Sequence, residues 1–361
     1  WKSTGTPSSP RTTTGGKRPR FPGILHTHRT GLSSLLLFIG PFFGLLLLFW
    51  AVPLGLSVDL ALQNPDYVPE YREDAAPQGG EEAGSATSGT VDWLNVSWEP
   101  EEEAVSAPVE KYLGLGNFSY VLGDPKFHKA LKNTALYVLA TITIALPLAF
   151  FLAHFLRQVP GRIRPVLSFL LLLPGFCLSG VLATLFQLFF HGREGALNQW
   201  LVVPMGFDPI NWLLDPSFVL PALVLQAVWR WTGFIVLFFL CGMEAIPKSY
   251  YEAAKVEGAG AWRVMRSITF PGVRHVAVFA AVFLVIDGFA SFSGAYNLLG
   301  GSGGILDSGL LLVTYLYQVA FPGGSGQFDF PAAAAMSLLV VPLTALMLFL
   351  VLFGRNRLSK A

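Results

Sequence analysis

Two charged side chains stand where charge is expensive. Arg230 lies in the apolar run 218–242, between Trp229 and Trp231, and Asp287 lies in the apolar run 276–298. In hydrocarbon each costs about 3 kcal/mol on insertion scales, so both must face a wet cavity or one another. Phe234 lies one helical turn beyond Arg230, and Gly288 and Ser291 lie beside and one turn beyond Asp287. Aromatic rings that stack on a sugar face, with fixed polar groups that bind hydroxyls, are what a polyhydroxylated solute requires. Trp229, Arg230, Phe234, Asp287, Gly288 and Ser291 are therefore candidate solute-binding residues near the midplane of a membrane. An ion pair that merely locks two helices uses the same two charges and stays open at this point.

Other chemistry finds little support. The segment 242–249 has Pro247 where a phosphate loop needs its second glycine, so the chain is not expected to bind ATP by itself. Gly300-Gly301-Ser302-Gly303-Gly304 matches the G-x-S-x-G pattern, but a hydrolase elbow needs a strand before it, and an apolar helical run precedes it here. The six histidines never fall at metal-ligand spacing. Cys177 and Cys241 sit inside apolar runs and read as small buried hydrophobes. No catalytic residue, metal or cofactor is assigned.

A polar island, residues 246–273, separates two of the apolar runs. Ser249 and Glu252 have the spacing of a capping box after Pro247, which predicts a short helix beginning at Ser249. Gly258 stands where a left-handed C-cap would end it, and a second short helix is predicted from Ala261 towards Thr269, closed by Pro271. Two short helices joined at a glycine form a knob that something soluble could grip.

Glu252-Ala253-Ala254, Gly258, Ile268 and Phe270-Pro271 resemble the EAA loop of permease subunits of binding-protein-dependent ABC importers. Glu257 stands where Asp is common before the glycine, and Phe270 where Leu is common before the proline. The resemblance implies that Tyr251, Glu252, Ala253, Ala254, Glu257, Gly258, Ala259 and Pro271 couple the chain to an ATPase. Asn133-Thr134, Gly195-Ala196-Leu197-Asn198, Tyr315-Leu316-Tyr317, Ala320-Phe321 and the run 323–327 are similar to the F-type permeases of carbohydrate importers, the maltose-transport F-subunit group in particular. That likeness covers about 110–358 and implies a second permease subunit forming a heterodimer, two ATP-binding subunits and an extracytoplasmic sugar-binding protein. An ion-coupled secondary carrier is the rival class, and a permease for a non-sugar solute such as a glycerol phosphate is another. Secondary carriers usually show paired repeats and several intramembrane carboxylates, whereas this chain offers Asp287 alone.

Composition says what must position these residues. Of 361 residues, 53% are hydrophobic and 13% charged, about half the charge of a soluble domain, and the mean hydropathy is +0.53. The net charge of +1 gives no field for nucleic acid, so the expected surroundings are membrane lipid. Residues 1–31 read as a disordered basic tail, and 32–58 as a retained first span too long for a secretory signal. Residues 59–130 form an acidic loop, with fourteen Asp and Glu between 59 and 128. Five more spans are expected in a core of 131–354, at 134–155, 165–190, 218–242, 276–298 and 331–353, before a tail of 355–361. Backbone polar groups have no water partner in lipid, so the expected fold is all-α and polytopic: six transmembrane helices with an EAA-type coupling helix. Arg157, Arg162, Arg164, the knob and both tails concentrate positive charge on one side, which puts both termini and the knob in the cytoplasm of a cell with this chain in its plasma (inner) membrane.

Overall fold

The computed structural model describes residues 32–66, 110–321 and 328–358. The basic tail, the low-complexity stretch 77–90 and the glycine-rich run 323–327 lie outside the described residues. The chain divides into two units, Trp1–Leu54 and Gly55–Ala361. Among the described residues the first unit holds the opening of α1 (Leu32–Leu62), a helix that continues through Pro41 and Pro53.

The second unit is built from helices. After α2 (Gly116–Gly123) come α3 (Pro125–Gln158), α4 (Arg164–Phe176), α5 (Ser179–Phe189) and α6 (Pro216–Glu244). The knob region holds α7 (Lys248–Val256) and α8 (Ala261–Val264), followed by α9 (Phe270–Phe289), α10 (Ser293–Leu298), α11 (Leu312–Ala320) and α12 (Phe330–Leu358). The two long helices α3 and α6 begin with the same grammar. Asp124 and Asp215 each accept a hydrogen bond from the backbone N–H two residues on, at 2.9 and 2.8 Å, and proline occupies the first helical position.

Five helices are long and apolar enough to cross a membrane, and α4 with α5 makes a sixth span if the bent pair is counted as one. The fold is therefore all-α and polytopic, as the hydropathy pattern requires. Apolar surface gains nothing by moving from lipid into protein, so close packing and polar pairing must hold such helices together. Ala145, Ala149 and Ala153 recur every four residues along α3, all fully buried, which lets neighbouring backbones approach. Gly233 does the same on α6: a Cβ there would fall 1.6 Å from the carbonyl oxygen of Leu171 on α4.

Two spans differ from their expected form. The run 165–190 is not one straight helix; α4 and α5 meet at 98° across Cys177 and Leu178, both extended. Pro174 and Gly175 weaken the end of α4, and hydropathy is blind to such a change of direction. The run 276–298 likewise breaks after Phe289. That span also starts earlier than expected, because α8, a π-helical turn at Met265–Thr269 and α9 form one helix over Ala261–Phe289. Pro271 therefore does not close the knob's second helix. The π-turn, in which Phe270 N–H bonds Met265 O, widens the helix just ahead of the proline and accommodates the ring. Cys177 is half-buried at the break and Cys241 is exposed on α6, so neither is a buried hydrophobe.

Several of the short motifs turn out to satisfy buried backbone. Asn133 donates to the carbonyls of Asp307 and Leu310, and Thr134 accepts from Leu312 N–H at 2.9 Å, pinning the segment ahead of α11. Asn198, fully buried, donates to the carbonyls of His191, Gly192 and Ile210 and accepts from Trp212 Nε1 at 3.0 Å. Tyr315 donates its hydroxyl to the carboxylate of Asp124, and burial first, then that bond, pushes its pKa above the ordinary tyrosine range. The G-x-S-x-G loop follows α10 with Gly300 and Gly301 at positive φ, and has the flanks of a helix turn rather than of a hydrolase elbow.

Candidate functional site

The helix breaks create a cavity of about 190 Å³. Tyr137 of α3, Gln226, Arg230 and Trp231 of α6, Ser179 at the start of α5, and Asp287 with Ser291 at the end of α9 all line it. Arg230 stands halfway along α6, so the cavity lies at mid-depth of that span. Its guanidinium donates to Ser179 Oγ at 3.1 Å and lies 5.0 Å from the Trp231 ring centroid. Arg230 and Asp287 share the cavity without an ion pair: among the described residues the salt bridge is Arg164–Glu244. A locking pair is therefore not what these two charges form.

The polar demand of this cavity is not met from within. Arg230 Nε is buried without a partner, and so is the amide nitrogen of Gln226, a side chain only 4% exposed. Each such group costs about 1–3 kcal/mol until something hydrogen-bonds to it. Sequence reasoning missed Gln226, although it stands one turn before Arg230 and so shares its helical face. It also missed Tyr137 and Ser179, which only the bend at Cys177 and the packing of α3 bring to the site.

Of the six candidates, Arg230, Asp287 and Ser291 line the cavity. The other three lie around it. Trp229 packs edge-on against Phe186 at 5.4 Å between centroids, Phe234 packs among Trp231, Phe238 and Phe283, and Gly288 is buried where a Cβ would meet Val138 Cγ2 at 2.5 Å.

At one end of the same helices sits the knob. α7 begins at Lys248 with Pro247 as its N-cap and no side-chain cap, so the capping box of Ser249 and Glu252 does not form; Ser249 is already inside the first turn. Its C-terminus follows the expected form. Gly258 has φ +70°, Gly258 N–H bonds Lys255 O at 3.1 Å and Ala259 N–H bonds Ala254 O at 2.9 Å, both bonds of a Schellman motif. Ala254 is buried, while Glu252, Ala253 and Glu257 are exposed. Tyr251 lies under Arg157 of α3, its ring centroid 4.4 Å from the guanidinium carbon, and its hydroxyl meets Thr269 Oγ1 at 3.3 Å. Arg164 reaches from α4 to Glu244 at the end of α6, at 2.7 Å. Pro271 is exposed in the first turn of α9. Val256, not singled out by the sequence, is 90% exposed at the outer end of α7, an apolar side chain presented to a partner or to water.

Cavity and knob are joined by one rod. The helix Ala261–Phe289 starts in the knob and ends at the cavity, 29 residues and about 44 Å later. A polytopic α-helical membrane protein with a mid-depth polar cavity, mechanically tied to an exposed two-helix knob, is the class that this geometry defines.

The chain belongs to the family described as binding-protein-dependent transport system inner membrane component, whose model matches residues 145–360. It is thus an inner membrane, multi-pass transport component and not itself an enzyme. It is 33% identical to the arabinooligosaccharides transport system permease protein AraP of Bacillus subtilis (strain 168) over 67% of this chain and 76% of that protein. It is 31% identical to the lactose transport system permease protein LacF of Rhizobium radiobacter over 66% and 80% respectively. Among solved structures, a chain of a bacterial ABC transporter involved in the import of the acidic polysaccharide alginate superposes with a TM-score of 0.59 at 21% identity, over 68% of this chain and 84% of that one. At that identity the likeness speaks to the fold alone.

Proposed function

We propose that this chain is a permease subunit of an ATP-driven carbohydrate importer and supplies half of its translocation pathway. The observation that carries the proposal is the continuous helix from the knob to Asp287, because a push on one end must move the other. Relatives whose names include arabinooligosaccharides, lactose and trehalose/maltose support a sugar as cargo, as do the two buried unpaired donors of the cavity, on Gln226 and Arg230.

In this mechanism a soluble extracytoplasmic binding protein delivers the sugar to a pair of unlike permeases. Two ATPase subunits grip α7 of this chain and the equivalent knob of its partner, through Glu252, Ala253, Glu257, Gly258 and Ala259, with Tyr251 and Ala254 anchoring α7 to the body. Closure of the ATPase dimer on ATP draws the knobs together and swings the Ala261–Phe289 rod past α6. The cavity opens to one side of the membrane and then the other. ATP drives this switch because the ATPase dimer binds one arrangement more tightly than the other. Arg157, Arg162, Arg164 and the knob lysines and arginines put this end of the bundle, with both termini, in the cytoplasm; residues 59–130 then face outwards. Arg230, Gln226, Asp287 and Ser291 hold the sugar hydroxyls during the switch.

The test is co-purification. A tagged chain expressed with its neighbouring genes should elute with a second permease and an ATPase, and the complex in proteoliposomes should take up labelled sugar only with ATP inside the ATPase compartment. Elution alone, with uptake driven by an ion gradient, would make it a secondary carrier.

A further inference from the structure

The part of the cavity that this chain lines is small. At about 190 Å³ it falls below the roughly 300–1,000 Å³ of sites that enclose a drug-sized ligand, so this chain's share has room for little more than one sugar ring. Further rings of a longer cargo extend beyond it.

A row of aromatic side chains leads away from it. Phe292 lines the cavity, and its ring lies 4.9 Å from Tyr296 and 4.9 Å from Tyr317 between centroids. Tyr317 contacts Phe321 at 4.9 Å, Phe321 contacts Phe330 at 5.8 Å, and Phe330 contacts Phe328 at 6.3 Å. The row crosses from α10 to the end of α11 and the start of α12. Since α9 leaves the knob and ends at the cavity, and α12 starts beside α2 and α11, the row runs towards the end of the bundle opposite the knob. None of the six rings is buried.

Its chemistry suits a sugar better than lipid. Phe faces offer apolar platforms, and the hydroxyls of Tyr296 and Tyr317 make no hydrogen bond to the described residues, whereas those of Tyr112, Tyr251 and Tyr315 are paired. Partly exposed apolar rings with two free hydroxyls among them suit a chain of sugars, each of which has an apolar face and a polar rim.

We propose that Phe292, Tyr296, Tyr317, Phe321 and Phe330 form a stacking track for successive rings of an oligosaccharide whose leading ring occupies the Arg230–Asp287 cavity. The cargo is therefore an oligosaccharide drawn in from the end opposite the knob. This inference rests on the carbohydrate reading, and its test separates the two. The assembled complex, with its binding protein, is placed in proteoliposomes and given labelled gluco-, galacto- and arabino-saccharides from monomer to hexamer. Tyr317→Ala and Phe321→Ala should each raise the half-saturation concentration for the longer chains roughly ten-fold and leave that for mono- and disaccharides within about two-fold. Tyr317→Phe, which keeps the ring, should stay near the wild type for the longer chains. An equal loss at every length would overturn the track and make the row a contact with the second permease. No loss at any length, a Tyr317→Phe variant as poor as Tyr317→Ala, or a wild type that accepts only monosaccharides would overturn it as well. A wild type that takes up no saccharide at all would sink the carbohydrate reading itself.

Discussion

Replacing Gly258 should disconnect the knob without disturbing the membrane domain. α7 has nine residues and buries only Ala254 among them, so burial cannot hold it; its termini and the Tyr251 contacts must. Its N-terminus lacks a side-chain cap, which leaves the Schellman bonds at Gly258 and Ala259 as the main local restraint. A Cβ at Gly258 would meet nothing within 4 Å, so any penalty comes from the φ of +70° alone. Alanine there costs about 1–2 kcal/mol, which lowers the population of the docked geometry roughly 5- to 30-fold. Proline cannot adopt that φ and also removes the donor to Lys255 O, another ~0.5–1.5 kcal/mol. Asparagine, which tolerates the left-handed region, should cost least. The assay is sugar uptake per ATP hydrolysed in proteoliposomes, and the expected order is Gly, Asn, Ala, Pro, with insertion and assembly unchanged throughout. Wild-type coupling in the proline variant, or an asparagine variant as poor as the proline one, would refute the reasoning.

Three other outcomes follow from the same geometry. Arg230→Ala and Asp287→Ala should each raise the apparent transport constant at least ten-fold, since each removes a charged hydrogen-bonding group from the cavity; uptake kinetics unchanged in both would defeat the pocket assignment. Gly233→Val should lower the thermal stability of the purified protein by more than the ~1–3 kcal/mol of ordinary overpacking, because its Cβ collides with backbone of α4 and not with a movable side chain; an unchanged melting temperature would contradict the close crossing. Tyr315 has its pKa raised above the ordinary 10, so the stability held by its protonated form is present below about pH 10 and is lost as the pH climbs through the folded value. Tyr315→Phe should therefore flatten the fall in melting temperature above about pH 10 relative to the wild type.

A helical, polytopic fold was legible in the sequence because twenty apolar residues in a row have few other fates. Gly258 was legible for an equally local reason, its place at the end of a short helical run. The bend at Cys177 was not. It leaves the apolar run intact and changes only direction, and a proline does not by itself mark such a break, since Pro147 lies inside the continuous helix α3. Pro271 misled for the opposite reason: a helix with a π-turn passes through it. In the cavity, Arg230 and Asp287 announced themselves by cost, since charge in an apolar run needs an explanation. Gln226 and Tyr137 carry no charge, so their role depends on which helices cross, and that lies outside what periodicity encodes. Asn133, Thr134 and Asn198 stood out by resemblance, and the structure gives them a physical reason in the backbone groups they satisfy.

The central claim is that a separate ATPase works the cavity through the knob. Val256, 90% exposed on α7, can carry a crosslinker without disturbing the packed face. In the reconstituted complex a Val256→Cys variant with a short thiol-reactive crosslinker should capture the ATP-hydrolysing subunit, and the closed crosslink should abolish ATP-driven sugar uptake until it is cleaved. A crosslink that never captures that subunit, or sugar accumulation that continues in vesicles without ATP, would contradict it.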